Sequence, residues 1–381
     1  EKEAAWRGSI VQQALQYEGK ELDAETRRAL DLLKLGATLP APADAAKRKE
    51  LTMIATELDG MYGAGQYCRN DQDCKSLPEL EDVLANSRDY EELKDAWQGW
   101  RTVAPPMRNK YRRYVELVNE GATELGYRDL GEMWRAGYDM SPVEFEQETV
   151  RLWEQVKPLY EQLHCHVRAT LGEVYGADKV PQDGPIPAHL LGNMWSQGWS
   201  FIYDLLEPYP GVADLDVDST LKTKNYSPQE MVRSAEDFYV SLGMPRLPET
   251  FWTRSQFSKP RDREVVCHAS AWGVEDFGTN DLRIKMCIKQ TYDELRTIYH
   301  ELGHNYYQGA YKDQPALFQT SAHAGFHEAL GDTVTLSMTP DYLAEVGLIS
   351  SAEENEKWTE ILSRHDLPDD PLFGKKVNKR F

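Results

Sequence analysis

Residues Tyr292 to Ala310 follow a helical pattern and contain His300-Glu301-Leu302-Gly303-His304, an HExxH sequence. Residues four apart share one face of a helix, so both imidazoles can reach one ion while Glu301 stands beside it without ligating. Catalytic zinc takes three protein ligands and keeps a fourth position for water, so the fold must deliver one more donor from elsewhere. Glu328 is that donor in this reading. It lies in Gly325-Phe326-His327-Glu328-Ala329-Leu330-Gly331-Asp332, an expected second helix after a loop containing Pro315. Asp332 falls one turn beyond Glu328, where it is expected to accept a hydrogen bond from the outer nitrogen of a ligand histidine. Zinc would lower the pKa of the water and Glu301 would take its proton. His327 is expected to point elsewhere on its helix and His323 to sit in a loop of small residues, and either is expected to be a structural group or an outer partner of the ligands rather than a catalyst. His164, His166, His189 and His365 carry no assignment.

Composition narrows the remaining classes. With 381 residues, 41% of them hydrophobic and 28% charged, the chain can bury a large core. A net charge of −20 means that phosphate binding would need a strong local basic stripe, and none is present, so nucleic acid is not an expected partner. The same field favours the approach of cationic molecules or peptides. No run approaches the roughly 20 apolar residues needed to span a bilayer. Glu1 to Trp6 lacks the basic-then-apolar pattern of a secretory leader, so any such leader is expected to have been removed.

The periodicity is mainly helical. Helical patterns run from Glu1 to Leu35, then, beyond the joint Leu39-Pro40-Ala41-Pro42-Ala43, over Ala45–Leu58, Tyr90–Trp100, Pro106–Leu125 and Pro142–Tyr175. Ser141 is the expected N-cap of the last, with proline following it and Glu144 completing a capping box. Breaks at Pro181–Pro187 and Glu207–Gly211 read as loops within one body. Arg263–Ala271 and Leu282–Ile288 read as two paired strands near the site. Cys68 and Cys74 bracket one short polar loop, and Cys267 and Cys287 bracket a turn-rich segment; spacing is equally compatible with two local disulfides and with five reduced thiols.

With these residues in view, the sequence resembles the angiotensin-converting-enzyme family of zinc peptidyl-dipeptidases, which are gluzincins, and reads as a bacterial member. The likeness rests on the runs Gly184–Trp195, Val265–Trp272, Tyr311–Asp313 and Gly325–Ala329, and extends to about Ser350. It implies a helical fold with a deep cleft, N-terminal lid helices and a small sheet near the site, and removal of C-terminal dipeptides from oligopeptides with a free C-terminus. It assigns His300, His304 and Glu328 to zinc and Glu301 to water activation. His268 would hydrogen-bond the peptide near the scissile bond, and Ala269 and Ala271 would offer main-chain groups to it as an added strand. Gln197 would help hold the terminal carboxylate. Arg101 and Tyr138 match chloride-binding positions. The likeness also favours disulfides Cys68 to Cys74 and Cys267 to Cys287, leaves Cys165 free, and implies an exported, periplasmic or secreted, protein.

Residues 1–350 are therefore expected to form the N-terminal and zinc-binding portion of one catalytic domain, and 351–381 a divergent tail. Family members continue further and supply there a tyrosine and histidine for the oxyanion, a lysine and tyrosine for the substrate carboxylate, and further chloride ligands; none has a match in this tail. One oxyanion donor is worth roughly two to three orders of magnitude in rate. Two alternatives to the dipeptidase follow: a non-catalytic peptide binder that retains metal, or a generic gluzincin endopeptidase. Exposed apolar surface on half a cleft would also invite association.

Overall fold

The computed structural model describes residues 2–36, 39–70, 72–207, 216–263, 265–274 and 280–350, without the side chains of 2–5 and 7. The chain divides into two compact units, residues 1–208 and 209–381. The division falls within the Glu207–Gly211 break. The expected tail at 351–381, with His365, and the turn residues Gly278 and Thr279 lie outside the described residues.

In the first unit the elements are α1 (Lys2–Leu15), α2 (Ala24–Leu35), α3 (Ala45–Gly63), β1 (Gln66–Asn70), β2 (Asp73–Ser76), α4 (Leu77–Asn86), α5 (Tyr90–Arg101), α6 (Arg108–Glu124), α7 (Leu130–Arg135), α8 (Pro142–Tyr175) and α9 (Tyr203–Leu206). Helix starts are set by side-chain caps: Asp23, Asp44 and Asp89 each accept from the backbone N–H three residues on, at about 1 kcal/mol per cap. Ser141 and Glu144 form the reciprocal capping box that opens α8. The pattern read from Glu1 to Leu35 is two helices, because the chain turns at Gly19, whose φ of +72° suits glycine. The helix read from Pro106 begins at Arg108 instead, after a short 3₁₀ turn at Pro105–Met107.

Two cores organise this unit. Leu51 of α3 packs with Leu117, Val118 and Ala122 of α6 and Met133 of α7. Leu80 and Leu84 of α4, Leu93 and Trp100 of α5, Val167 and Leu171 of α8 and the segment from Val180 to Leu206 form the other. The polar loop between Cys68 and Cys74 is a hairpin, with the two residues directly opposite each other across the β1–β2 ladder and joined as a disulfide. Over much of its length α8 leaves apolar side chains in solvent, among them Val150, Trp153, Val156, Leu159 and Leu163.

The second unit contains α10 (Val217–Thr223), α11 (Pro228–Ser241), α12 (Glu249–Arg254), β3 (Ser270–Val274), β4 (Asp281–Lys285), α13 (Tyr292–Tyr311), α14 (Ala324–Thr335) and α15 (Pro340–Glu345). β3 and β4 pair antiparallel, with Ala271 opposite Ile284. The first strand thus begins seven residues later than Arg263, and Trp272 to Val274 belong to it. Asn280, just before the first paired residue of β4, adopts φ 47°. Before Ser270 the chain is irregular: Cys267 is bonded to Cys287, and the His268 ring lies 2.8 Å from the Ala269 carbonyl, which occupies a group that a longer ladder would use.

Helix α13 runs through this unit's core. Leu295, Ile298, Tyr299, Leu302 and Tyr306 recur at helical spacing and are buried against Met231, Val232, Ala235 and Tyr239 of α11, Phe251 of α12, and Leu282 and Ile284 of β4. Its opposite face is crossed by α14. A Cβ on Gly303 would stand 2.8 Å from the Gly331 Cα, and one on Gly331 would stand 2.6 Å from His300 Nδ1 and 2.8 Å from the His300 carbonyl. Glycine at both positions lets the two backbones touch.

Two predictions follow from this packing. Gly331→Ala should lower unfolding stability by about 1–3 kcal/mol, because the new methyl meets backbone and a ring that cannot both yield; an unchanged chemical-denaturation midpoint would reject the close contact. His189, buried against Tyr90 with no partner for its Nε2 among the described residues, is held by burial at a pKa of about 4. Its unfolded counterpart titrates near 6.5. The unfolded chain therefore takes up the proton first, and stability should fall as pH drops from about 6.5 towards 4. In His189→Phe that slope should flatten in pH-resolved denaturation; a slope equal to the wild type would exclude His189 as its source.

Candidate metal centre

The HExxH segment lies wholly within α13, whose start is capped by Thr291 accepting from the Glu294 N–H. Helical spacing places His300 Nε2 and His304 Nε2 3.0 Å apart. α14 brings Glu328 Oε2 to 3.3 Å from His300 Nε2 and 3.8 Å from His304 Nε2. Zinc bonds to nitrogen and oxygen of about 2.0–2.2 Å imply a tetrahedral edge of roughly 3.3–3.6 Å, so this triangle suits one small divalent ion. Three donors without intervening backbone, two imidazoles and one carboxylate, are also a chemically suitable zinc set. The residues fit the ion that the sequence implies.

The surroundings orient each donor. Asp332 Oδ1 lies 3.0 Å from His300 Nδ1; a carboxylate there accepts, which leaves the lone pair of His300 on Nε2. His304 Nδ1 lies 2.9 Å from His327 Nδ1, whose other nitrogen is 3.5 Å from the Tyr311 hydroxyl. His327 thus faces the site, contrary to the sequence expectation. The tight crossing at Gly303 and Gly331 rolls α14 far enough onto α13 for residue 327, as well as 328, to reach the histidine pair. Burial pushes His304 and His327 below the ordinary histidine range.

Glu301 occupies a different environment from Glu328. Only 7% of Glu301 is exposed, and burial raises its pKa, opposed by His300 and His268. The Glu328 side chain is 64% exposed. One turn beyond Glu301, the buried Asn305 donates to the Arg283 carbonyl at 3.1 Å and to the Trp272 carbonyl at 3.4 Å, tying α13 to β4 and β3. Tyr239 donates its buried hydroxyl to the Tyr299 carbonyl at 2.8 Å, just before the motif. Sequence reasoning passed over Asn305, Tyr239 and Gly331; the legible sign was glycine inside each of the two motif helices.

His268 is exposed in the bend before β3, and its Nδ1 donates to the Ala269 carbonyl, so that carbonyl is already engaged. Ala271 lies within β3. Disulfide Cys267–Cys287 closes the open end of this hairpin. Cys165 is a free, exposed thiol. Gln197, Arg101 and Tyr138 belong to the other unit. Gln197 is exposed in a loop and its backbone N–H donates to Asn193 Oδ1 at 2.9 Å. The Arg101 guanidinium lies over Trp97 and Trp195, at 4.4 and 5.3 Å, and donates to the Met194 carbonyl at 2.6 Å. Burial pulls its pKa down. Tyr138 packs on Phe145, with ring centroids 4.1 Å apart.

Comparison with known proteins places this arrangement. The sequence model of the family described as angiotensin-converting enzyme matches residues 1–367, which continues past position 350. The angiotensin-converting enzyme of Oryctolagus cuniculus is 42% identical over 334 residues, covering 86% of this chain and 25% of that protein. That of Sus scrofa is 42% identical over 310 residues, covering 80% of this chain and 23% of its own length. The angiotensin-converting enzyme of Theromyzon tessulatum is 40% identical over 308 residues, covering 79% of this chain and 49% of that protein. The chain thus spans about a quarter of the mammalian relatives and about half of the Theromyzon one. On a match over nearly its whole length, around a mainly helical fold with two small antiparallel sheets, the chain belongs to the angiotensin-converting-enzyme family.

Proposed function

We propose that this chain carries the zinc and water-activating residues of a peptidyl-dipeptidase that removes C-terminal dipeptides from oligopeptides. The observation that carries the reading is the convergence of His300, His304 and Glu328 within 4.8 Å of one another, with buried Glu301 beside them. Zinc held there would polarise the scissile carbonyl and acidify a water. Glu301 receives the proton of the attacking water and returns it to the departing amine; its raised pKa suits it to carry a proton in both directions. His268 hydrogen-bonds the peptide near the scissile bond. Among the described residues β3 pairs on one side with β4, which leaves its other edge for an extended peptide at Ala271 and at the Ala269 N–H.

Membership of the family extends the proposal to residues of the first unit. Gln197 supplies amide donors for the substrate's terminal carboxylate. Arg101, whose guanidinium faces tryptophan rings and a carbonyl, and Tyr138 contribute to chloride binding. Two disulfides favour an exported location. No helix among the described residues is long and apolar enough to cross a membrane. Apolar side chains exposed along α8 favour association with a further protein surface.

Incubation of the zinc-loaded full chain with peptides bearing free or amidated C-termini should release dipeptides from the free-ended set alone, and a chelator should abolish release. Cleavage of amidated peptides would favour the endopeptidase reading. Peptide binding with no cleavage at saturating zinc would overturn the dipeptidase and leave a metal-retaining binder. Glu301→Gln should retain zinc while losing about 10²–10⁴-fold in rate.

A further inference from the structure

Helix α14 brings the site one donor, Glu328, and two outer partners of the histidines. Within the stretch 327–332, Glu328 faces the two Nε2 atoms, Asp332 faces the outer nitrogen of His300, and His327 faces the outer nitrogen of His304. The two outer contacts differ chemically. A carboxylate can only accept, so the His300 contact has one direction. The 2.9 Å contact between His304 Nδ1 and His327 Nδ1 joins two rings that each have one N–H and one lone pair when neutral, so either could donate. If His327 donates, His304 carries its hydrogen on Nε2, aimed 3.0 Å away at His300 Nε2, and no lone pair is available for an ion. If His304 donates, its Nε2 lone pair completes the donor triangle, and the remaining hydrogen of His327 lies on Nε2, 3.5 Å from the Tyr311 hydroxyl.

We propose that His327 is a positioning residue of the metal centre: its Nδ1 accepts the Nδ1–H of His304, backed by Tyr311, and holds His304 in the tautomer that binds metal. The inference rests on the reading of His300, His304 and Glu328 as ligands. It makes the imidazole of His327 the counterpart of the Asp332 carboxylate, with a neutral acceptor on one ligand histidine and a charged one on the other. Nothing in the helical pattern marks this role, because residue 327 is adjacent in sequence to a ligand and 100° away from it around the helix axis.

Zinc affinity of the full chain, measured by competition with a chromophoric chelator, tests it. Outer partners of ligand histidines are worth about 10–100-fold in metal affinity. His327→Leu should therefore raise the zinc dissociation constant about 10–100-fold, whereas His327→Asn, whose Oδ1 can replace Nδ1 as acceptor, should restore most of it. A purely structural role would not separate these two variants by acceptor chemistry. Nitrogen-15 NMR of the zinc-loaded wild-type chain, which needs no variant to fold, should find His327 protonated on Nε2 and bare on Nδ1. Unchanged affinity in His327→Leu, or a proton on His327 Nδ1, would overturn the assignment. A wild-type chain that retains no zinc would overturn the ligand reading beneath it, and is distinguished by the same titration.

Discussion

The contact between Gly303 and Gly331 governs the geometry of the candidate centre. Two helices that carry ordinary side chains at their crossing stand about 8–10 Å apart, a separation set by those side chains. Here a single added methyl on either glycine would collide with backbone at 2.8 Å. The resulting approach allows a short carboxylate on one helix to meet two imidazoles on the other at 3.3 and 3.8 Å. A longer axial separation would leave Glu328 short of the pair, and no rotamer of a three-bond side chain makes up several ångströms. The glycines cost helix propensity, about 1 kcal/mol each relative to alanine, and the cost is offset by burial along α13 and α11.

That geometry is held from the opposite side by polar groups that fix the rotation of α13. Asn305 donates to carbonyls of both strands of the hairpin, and Tyr239 donates to the carbonyl one residue before His300. Leu302 and Tyr306 face the core between them. An apolar stripe alone would tolerate small rotations of the helix, whereas a buried amide that loses its acceptors is left with an unsatisfied polar group at roughly 1–3 kcal/mol. The helix is therefore set in angle by hydrogen bonds and in depth by packing. Both are needed for two histidines to converge on one point.

Much of this was readable from residue order. The α8 capping box at Ser141 and Glu144, the helical span of Tyr292 to Tyr311 and the second helix around Glu328 follow from local rules that a linear pattern exposes. The first strand begins later than expected because Val265 and Val266 have strand-like side chains, yet Cys267 just after them is tied to Cys287 and the His268 ring engages the Ala269 carbonyl. The β1–β2 hairpin escaped notice because its strands are short and polar, β1 mostly exposed and β2 mostly half-buried, without the apolar–polar alternation that marks a half-buried strand in sequence. His327 was misread for a related reason. A helical wheel describes which way a residue points from its own axis, and says nothing of how closely a second axis approaches.

The two carboxylates beside the histidines show how position can divide roles between identical groups. Glu301 sits on the core side of α13 at 7% exposure, where loss of water favours the protonated form, and Glu328 projects from α14 with its side chain 64% exposed. In the proposed reading the ion takes a carboxylate donor, whereas proton transfer needs a group whose two states are close in free energy. Exchanging the environments would defeat both tasks even with every residue type retained. The HExxH sequence is thus only a statement of spacing; the burial of its glutamate is what sets Glu301 apart from the exposed Glu328 and supports the proposed division between ligand and base.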